Sequence, residues 1–285
     1  MKEHNAKLIN EINDLNIKNK FLVYENKKAN KNILIVSACR GSSYAYYFSQ
    51  VTDYYNIYMI YVKPFMLDKN LLDEKKIKDI VQKTDIIVCE VITNHSPFNT
   101  VEQTDPTSFF SIFCVDFNKV KIYTVPNLEL HYLSHWAFHR HHISSTKEEL
   151  INYYENSKKI LFNKCVLYKF HKTKKFIEIY FKELQLFHTA FHPTVILSIV
   201  LFIEICEKME IAVDLGSIAK FIKINFLGGH ESPMFKIDVE TFGFTYKVTI
   251  QDDSLFENEN LQPRIDYSHL QTEENAKLIY DFFKN

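Results

Sequence analysis

The sequence predicts a single α/β domain built on a parallel sheet with helices on both faces. The chain has 285 residues, of which 46% are hydrophobic, and this is enough for the core of one large domain. In the first half, short apolar runs of strand length alternate with stretches of helical spacing. The runs are apolar at nearly every position, which is typical of parallel strands that are covered on both faces.

Four strands are predicted within a sheet core that spans residues 31–145. A helical N-terminal extension, 1–30, precedes this core. One helix is expected after Ser42 and another over 75–83, where apolar residues recur every three or four positions. The strands are predicted at 33–37, 57–62, 85–92 and 120–125.

The second half predicts a helical part, residues 146–222, followed by a C-terminal β-hairpin and a last helix in residues 223–285. The most apolar helix begins at Pro193, a residue that suits the first turn. Segments on both sides of 241–243 alternate with period two and predict the hairpin. The helices are predicted at 147–156, 174–187, 193–209 and 273–283. No repeat or linker divides the chain, so one domain over 1–285 is expected.

Composition argues against several functions. Lys and Arg (34) balance Asp and Glu (35), giving a net charge of −1, which argues against nucleic-acid or acidic-membrane partners. The five glycines do not form either common nucleotide-binding loop. The five cysteines are scattered and contain no C-x-x-C pair, which predicts a reducing compartment. No segment has the apolar pattern of a signal peptide or a spanning helix, so a cytoplasmic location is expected.

The turn after the first predicted strand, Ser37-Ala-Cys-Arg-Gly-Ser-Ser43, is the first candidate site. Ligands of a doubly wound sheet bind beyond the carboxyl ends of its strands. Cys39 would lie near a helix N-terminus, where free amides stabilise a thiolate or a bound anion, and Arg40 can bind a phosphate. The alternative is a cysteine that packs as a small apolar residue beside a solvated arginine. The predicted cofactor contacts are Ser37, Arg40, Gly41, Ser42 and Ser43, with Asn94 and His95 after the third strand.

Histidines form two further candidate groups. The first contains His131, His135 and His139, and it is predicted to shape the acceptor side of a pocket. The spacing of His135 and His139 suits zinc, but no carboxylate follows at ligand spacing, so no metal is expected. In the second group, His192 is predicted to be a general base, with His188 as its substitute, because imidazole titrates near neutral pH. The alternative role is a histidine that caps a helix.

Three segments together resemble the WcbI-type polysaccharide-biosynthesis family over residues 31–210. They are a strand ending in Ser-x-Cys-polar, a Pro-Asn strand end with a downstream histidine, and Phe-x-x-x-x-His-Pro before an apolar helix. The resemblance implies an SGNH-hydrolase-like or flavodoxin-like sheet that binds coenzyme A. It also implies that Cys39 lines the coenzyme pocket and that His192 faces the reacting carbonyl. In that family the loop usually reads Asn-Cys-Gln, whereas here it is Ala38-Cys39-Arg40.

Together with these residues, the resemblance implies an acyltransferase that uses coenzyme A, most simply acetyl-CoA, as its acyl donor. The expected acceptor is an amine or hydroxyl of a nucleotide-linked sugar or glycan, and a homo-oligomer is expected. The lysine- and asparagine-rich composition suits the AT-rich genome of a giant DNA virus or of a low-GC bacterium. The sharper hypothesis is a viral amino-sugar N-acyltransferase. Two alternatives stay open. One is an SGNH-type esterase or deacetylase with a serine or Cys39 as nucleophile, and the other is a non-catalytic module that binds coenzyme A or sugar.

Overall fold

The computed structural model of the chain describes residues 21–62, 74–92, 100, 105–133, 146–226, 234–246, 250 and 267–285. Two compact units make up the chain. The first, called the sheet unit, comprises Met1–Asn127 and Ile205–Ala212, and the second, called the helical unit, comprises Leu128–Glu204 and Val213–Asn285. Organisation as a single domain stays a prediction.

The sheet unit is built on a five-stranded sheet in the order β1-β3-β2-β4-β5. Strands β2 to β5 are parallel, and β1 pairs with β3 in the antiparallel direction. The mixed α/β fold and the four strands predicted in the first half are therefore confirmed. The strands are β1 (Phe21–Tyr24), β2 (Lys31–Ser37), β3 (Tyr55–Tyr61), β4 (Ile86–Glu90) and β5 (Lys121–Val125).

Helices cover this sheet because their apolar residues recur at helical spacing. In the predicted 75–83 segment, Ile77, Ile80 and Val81 are buried and belong to one core cluster with β2 and β4. Burial of each such side chain stabilises the fold by about 1.5–3 kcal/mol. The described helices of this region are α1 (Gly41–Val51), α2 (Glu74–Gln82) and α3 (Phe109–Ile112).

Residues 146–222 are mainly helical, with one short antiparallel β-pair among the helices. They belong to the helical unit except for Ile205–Ala212, which belongs to the sheet unit. Thr146 caps α4 by accepting from the Glu149 amide. Within the described ranges, no helix is both long and apolar enough to cross a membrane. The elements are α4 (Lys147–Leu167), α5 (His171–Tyr180), β6 (Phe187–Thr189), β7 (His192–Pro193), α6 (Val195–Lys208), α7 (Leu215–Phe221), α8 (Lys236–Phe242), a 3₁₀ turn (Tyr267–His269) and α9 (Glu273–Lys284).

The predicted C-terminal hairpin is wrong, because its first strand is the helix α8. The Asp238 carboxylate accepts a hydrogen bond from the Phe235 amide at 2.8 Å, which satisfies a donor at the start of the helix. Gly243 ends the helix in the left-handed conformation with φ +63°. Phe235, Asp238 and Phe242 are buried, and their spacing of three and four residues is helical.

Other element boundaries also differ from the prediction. The helix predicted at 174–187 is α5, His171–Tyr180, and Phe187 begins the strand β6. Residues 1–20 lie outside the described part, but Phe21–Tyr24 is a strand, so a helical extension is wrong for those residues. The apolar helix begins at Val195 and not at Pro193. His192 instead pairs with Thr189 in the β6–β7 pair, which competes with helical conformation at Pro193.

Candidate functional site

The carboxyl ends of β2 and β4 form the switch point of the sheet. The chain runs from β2 to β3 on one side and then crosses to β4 on the other, so its connections diverge between β2 and β4. Open α/β sheets bind ligands in the crevice at this position. Ser37 is the last residue of β2, and Glu90 is the last residue of β4.

Glu90 is the centre of a buried polar network that the sequence prediction missed. Its side chain is 3% exposed. Its carboxylate accepts from the Ser37 hydroxyl at 2.8 Å and from the Ala38 amide at 3.2 Å, and it forms an ion pair with Arg40. Arg40 also donates to the Asn127 side chain, which follows β5. The network therefore ties together the ends of three neighbouring strands.

Arg40 is held as a cation inside this network. Burial by itself lowers the pKa of the guanidinium, but the neighbouring Glu90, Tyr44 and Cys39 together raise it above its ordinary value. With Glu90 and Asn127 as partners and only 5% of its surface exposed, Arg40 stabilises the turn between β2 and α1. Contact between Arg40 and a coenzyme phosphate stays a prediction.

Cys39 is a half-buried cysteine of this turn and directly precedes Arg40, the N-cap residue of α1. Its Sγ lies 3.5 Å from the hydroxyl of Tyr61, the last residue of β3. Burial, and then the charge and hydrogen bonding of Cys39, raise the pKa of Tyr61, so this hydroxyl stays protonated. A protonated Tyr61 is able to donate a hydrogen bond to a thiolate at Cys39.

The three serines of the turn are buried. Ser37 donates to Glu90, the Ser43 hydroxyl donates to the Arg40 carbonyl at 3.0 Å, and Ser42 lies 3.9 Å from the Met59 sulfur. The amides of Gly41 and Ser43 also donate to backbone carbonyls of the turn. These groups hold the conformation of the turn, and their contact with a cofactor stays a prediction.

Replacement of Gly41 by Ala is expected to lower the free energy of unfolding by about 1–3 kcal/mol, the usual cost of overpacking. A Cβ at this position would lie 2.6 Å from Met59 Cε and 2.8 Å from Ser37 Cβ. The Met59 methyl can rotate away, whereas Ser37 Cβ is fixed by β2. Urea unfolding measures the loss, and Gly41→Ala combined with Met59→Ala should remain destabilised because the contact with Ser37 persists. A Gly41→Ala protein as stable as the wild type would contradict this packing.

In the helical unit, His131 is buried between two polar partners. Its Nε2 lies 2.6 Å from Glu129 Oε1, and its Nδ1 lies 2.8 Å from the Tyr153 hydroxyl. The His131 amide donates to Ser157 at 3.0 Å. The prediction placed His131 on the acceptor side of a pocket but identified neither Glu129 nor Tyr153 as its partner.

His192 is half-buried in β7, and Thr189 orients it. The Thr189 hydroxyl lies 2.9 Å from His192 Nδ1 and accepts from the His192 amide at 3.2 Å. His188 is 1% exposed, and its Nε2 lies 3.2 Å from the Asn225 side-chain amide. His192 is therefore more accessible to solvent than His188.

The structure brings segments of the two histidine groups together. The Leu130 amide donates to the Ala190 carbonyl at 2.9 Å, and the rings of His131 and Phe191 lie 5.3 Å apart and nearly perpendicular. Among the described residues, no three metal-ligating side chains form a cluster. The predicted contacts Asn94, His95, His135 and His139 lie outside the described residues.

Comparison with known proteins gave one structural likeness. No protein-family model and no curated protein sequence matches the chain. A solved structure of WcbI, a polysaccharide biosynthesis enzyme, is similar to this chain with a TM-score of 0.49 and 11% identity, over 90% of this chain and 95% of the solved one. That structure is of native WcbI without a disulfide bond between coenzyme A and a cysteine.

Proposed function

We propose that the protein binds coenzyme A at the turn between β2 and α1 and transfers an acyl group from it to a sugar acceptor. The observation that carries the proposal is the half-exposed Cys39 at the switch point of the sheet, next to the N-terminus of α1. The buried Glu90–Arg40 pair gives this turn a defined conformation, and the Cys39 side chain is not a member of that pair. The sequence resemblance to coenzyme-A-binding proteins in this turn supports the same ligand.

The proposed reaction is direct transfer of an acyl group, most simply acetyl, to the amine or hydroxyl of a nucleotide-linked sugar or glycan. The acceptor atom attacks the thioester carbonyl, the carbon–sulfur bond breaks, and coenzyme A leaves as a thiolate. His192 is the proposed base, because Thr189 orients its ring. His131, His135 and His139 are proposed to contact the acceptor, and Asn94 and His95 the coenzyme.

A covalent route through Cys39 is the second candidate, since the serines of the turn are buried whereas Cys39 is half-exposed. In that route the Cys39 thiolate takes the acyl group and passes it to water or to the acceptor. Mass spectrometry distinguishes the two routes. An acyl-thioester trapped on Cys39, together with loss of turnover in Cys39→Ala, would favour the covalent route, whereas full turnover of Cys39→Ala supports direct transfer.

Alkylation of the cysteines tests coenzyme binding, because the chain contains its own control. Cys39 is half-exposed and Cys114 is exposed, so iodoacetamide should label both. Cys89, Cys165 and Cys206 should react slowly, since burial raises the pKa of Cys89 and of Cys165 to about 12 and raises that of Cys206 as well. Coenzyme A at ten times its Kd is expected to slow labelling of Cys39 by ~10-fold by mass action, and labelling of Cys114 should not change.

Mass spectrometry of the labelled peptides gives both rates in one experiment. Equal rates at Cys39 with and without coenzyme A would contradict the proposed site. Equal protection of Cys39 and Cys114 would indicate a general change of the fold and would also count against it. Release of free thiol from acetyl-CoA only when a nucleotide-linked sugar is present then tests the transfer step.

A further inference from the structure

The side chain of Tyr44 carries a buried hydroxyl group that the proposed reaction has not used. Tyr44 lies in the first turn of α1, four residues after Arg40, and only 1% of its surface is exposed. Within the described part of the chain, no group forms a hydrogen bond with its hydroxyl. A buried hydroxyl in this state has lost its hydrogen bonds to water and gained none from the protein, so it lowers the stability of the folded state.

Other polar side chains in the first turn of α1 have partners. The Ser43 hydroxyl donates to the Arg40 carbonyl, and the Ser42 hydroxyl lies 3.9 Å from the Met59 sulfur. A phenylalanine in the place of Tyr44 would fill nearly the same space without an unmet hydroxyl. An unmet buried polar group in an otherwise bonded turn therefore calls for an explanation, and a missing ligand is one that the structure can support.

The Tyr44 hydroxyl lies at the switch point of the sheet. Burial, and then the charge of Glu90, raise the pKa of Tyr44, whereas the charge of Arg40 lowers it. The phenol is therefore close to the Glu90–Arg40 pair, which joins the carboxyl end of β4 to the turn before α1. Because the raised pKa keeps the phenol protonated at neutral pH, its hydrogen is available to an acceptor.

The acceptor that suits this hydroxyl is a neutral carbonyl oxygen. Glu90 balances the charge of Arg40, so the surroundings of Tyr44 favour neither an anion nor a cation. A phenol hydroxyl donates one hydrogen bond, and a carbonyl oxygen accepts it. An acyl-coenzyme A contains such an oxygen in its thioester, next to the sulfur, and the proposed function assigns the turn between β2 and α1 to this compound.

We infer that Tyr44 is a catalytic residue whose hydroxyl donates a hydrogen bond to the carbonyl oxygen of the bound thioester. This inference rests on the proposed function. When the acceptor attacks, the carbonyl carbon becomes tetrahedral and its oxygen takes up an electron pair. Tyr44 stabilises this negative charge without giving up its proton. The carbonyl then forms again as the carbon–sulfur bond breaks, the electron pair of that bond leaves with the sulfur of coenzyme A, and the attacking atom loses its proton to the base.

Two buried tyrosines with different surroundings test whether the Tyr44 hydroxyl is unmet in the free protein. Tyr132 is also 1% exposed, but its hydroxyl donates to the Phe187 carbonyl at 2.9 Å. Tyr132→Phe should therefore lower the urea midpoint of unfolding, whereas Tyr44→Phe should keep or raise it. A lower midpoint in Tyr44→Phe would show that its hydroxyl already has a partner in the protein, and this result would overturn the inference.

Binding of two coenzyme compounds tests the contact itself. Acetyl-CoA contains the thioester carbonyl, and S-ethyl-coenzyme A has the same chain without that oxygen. In calorimetry the wild type should bind acetyl-CoA about 5-fold more tightly, the size of one hydrogen bond, and Tyr44→Phe should bind both compounds equally. The kcat of Tyr44→Phe should fall about 100-fold, as for other lost oxyanion donors. Tyr54→Phe, at a side chain that is 71% exposed in the sheet unit, is the control and should behave as the wild type.

Failure of the inference and failure of the proposed function give different results. A wild-type protein that binds both compounds equally, or a preference for acetyl-CoA that persists in Tyr44→Phe, would overturn the inference while the coenzyme site stands. Equal weakening of both compounds in Tyr44→Phe would also overturn it, because the hydroxyl would then contact another part of the coenzyme. A wild-type protein that binds neither compound would contradict the proposed function, and the inference would fall with it.

Discussion

Replacement of Glu90 by Gln is expected to lower the free energy of unfolding by about 3–5 kcal/mol, which is the usual cost of breaking a buried ion pair from one side. Glutamine has nearly the same shape, so no cavity forms. The guanidinium of Arg40, however, remains buried without its counter-charge. Ser37 and Ala38 also exchange an ionic acceptor for a weaker neutral one. The urea midpoint followed by circular dichroism measures the loss.

The same substitution at Glu240 is a matched control, because its partner Lys147 lies 2.8 Å away on an exposed surface. The hydrogen bond and charge of Lys147 lower the pKa of Glu240, yet exposed pairs add little to stability, so Glu240→Gln should leave the midpoint nearly unchanged. Adding Arg40→Met to Glu90→Gln should recover part of the loss by removing the uncompensated charge. A Glu90→Gln protein that unfolds at the wild-type midpoint would show that the pair is not buried.

His192→Ala is expected to lower kcat by ~10²–10⁴-fold, the contribution of a general base, with little change in coenzyme affinity. Thr189 lies within hydrogen-bond distance of Nδ1, so the orientation of this ring depends on the β6–β7 pair. Because His192 is only half-buried, truncation should change the melting temperature little. Steady-state kinetics with acetyl-CoA, with pH as a variable, measures the effect, and the acidic limb of the rate profile should disappear.

Two other histidines control this measurement. His171 is exposed at the start of α5, and His171→Ala should have wild-type activity. His188 is buried, so His188→Ala should lower the melting temperature. Full activity of His192→Ala, or loss of the folded state in it, would reject the catalytic role and leave a structural histidine held by Thr189.

The strands of the sheet were predictable because each is an apolar run whose length and flanking residues exclude a helix. Strand β1 was not predictable in this way, because Phe21–Tyr24 is a run of only four residues that follows a charged segment of helical spacing. The helix α8 was mistaken for a strand because Ile237 and Val239 alternate with polar residues. The deciding contact is the Asp238 carboxylate on the Phe235 amide, and residue periodicity does not reveal it.

The site was predictable only where its residues follow one another in the chain. The turn from Ser37 to Ser43 stood out because it contains one of the few arginines and one of the few glycines. Glu90 did not stand out in the sequence, because its partner Arg40 is fifty residues away and the pairing depends on β4 lying beside β2. A lone carboxylate at the end of an otherwise apolar strand was the available signal. Tyr153 carried no such signal, because only the folding of α4 brings it to His131.

The Glu90–Arg40–Asn127 network also constrains how this sequence can diverge. Because the two charges are buried together, a change at either position alone leaves an uncompensated ion, so the two positions should change in concert during evolution. A homologue with a neutral residue in the place of Arg40 should therefore have a neutral residue in the place of Glu90. The presence of both charges would then mark a separate lineage, recognisable from two positions in an alignment.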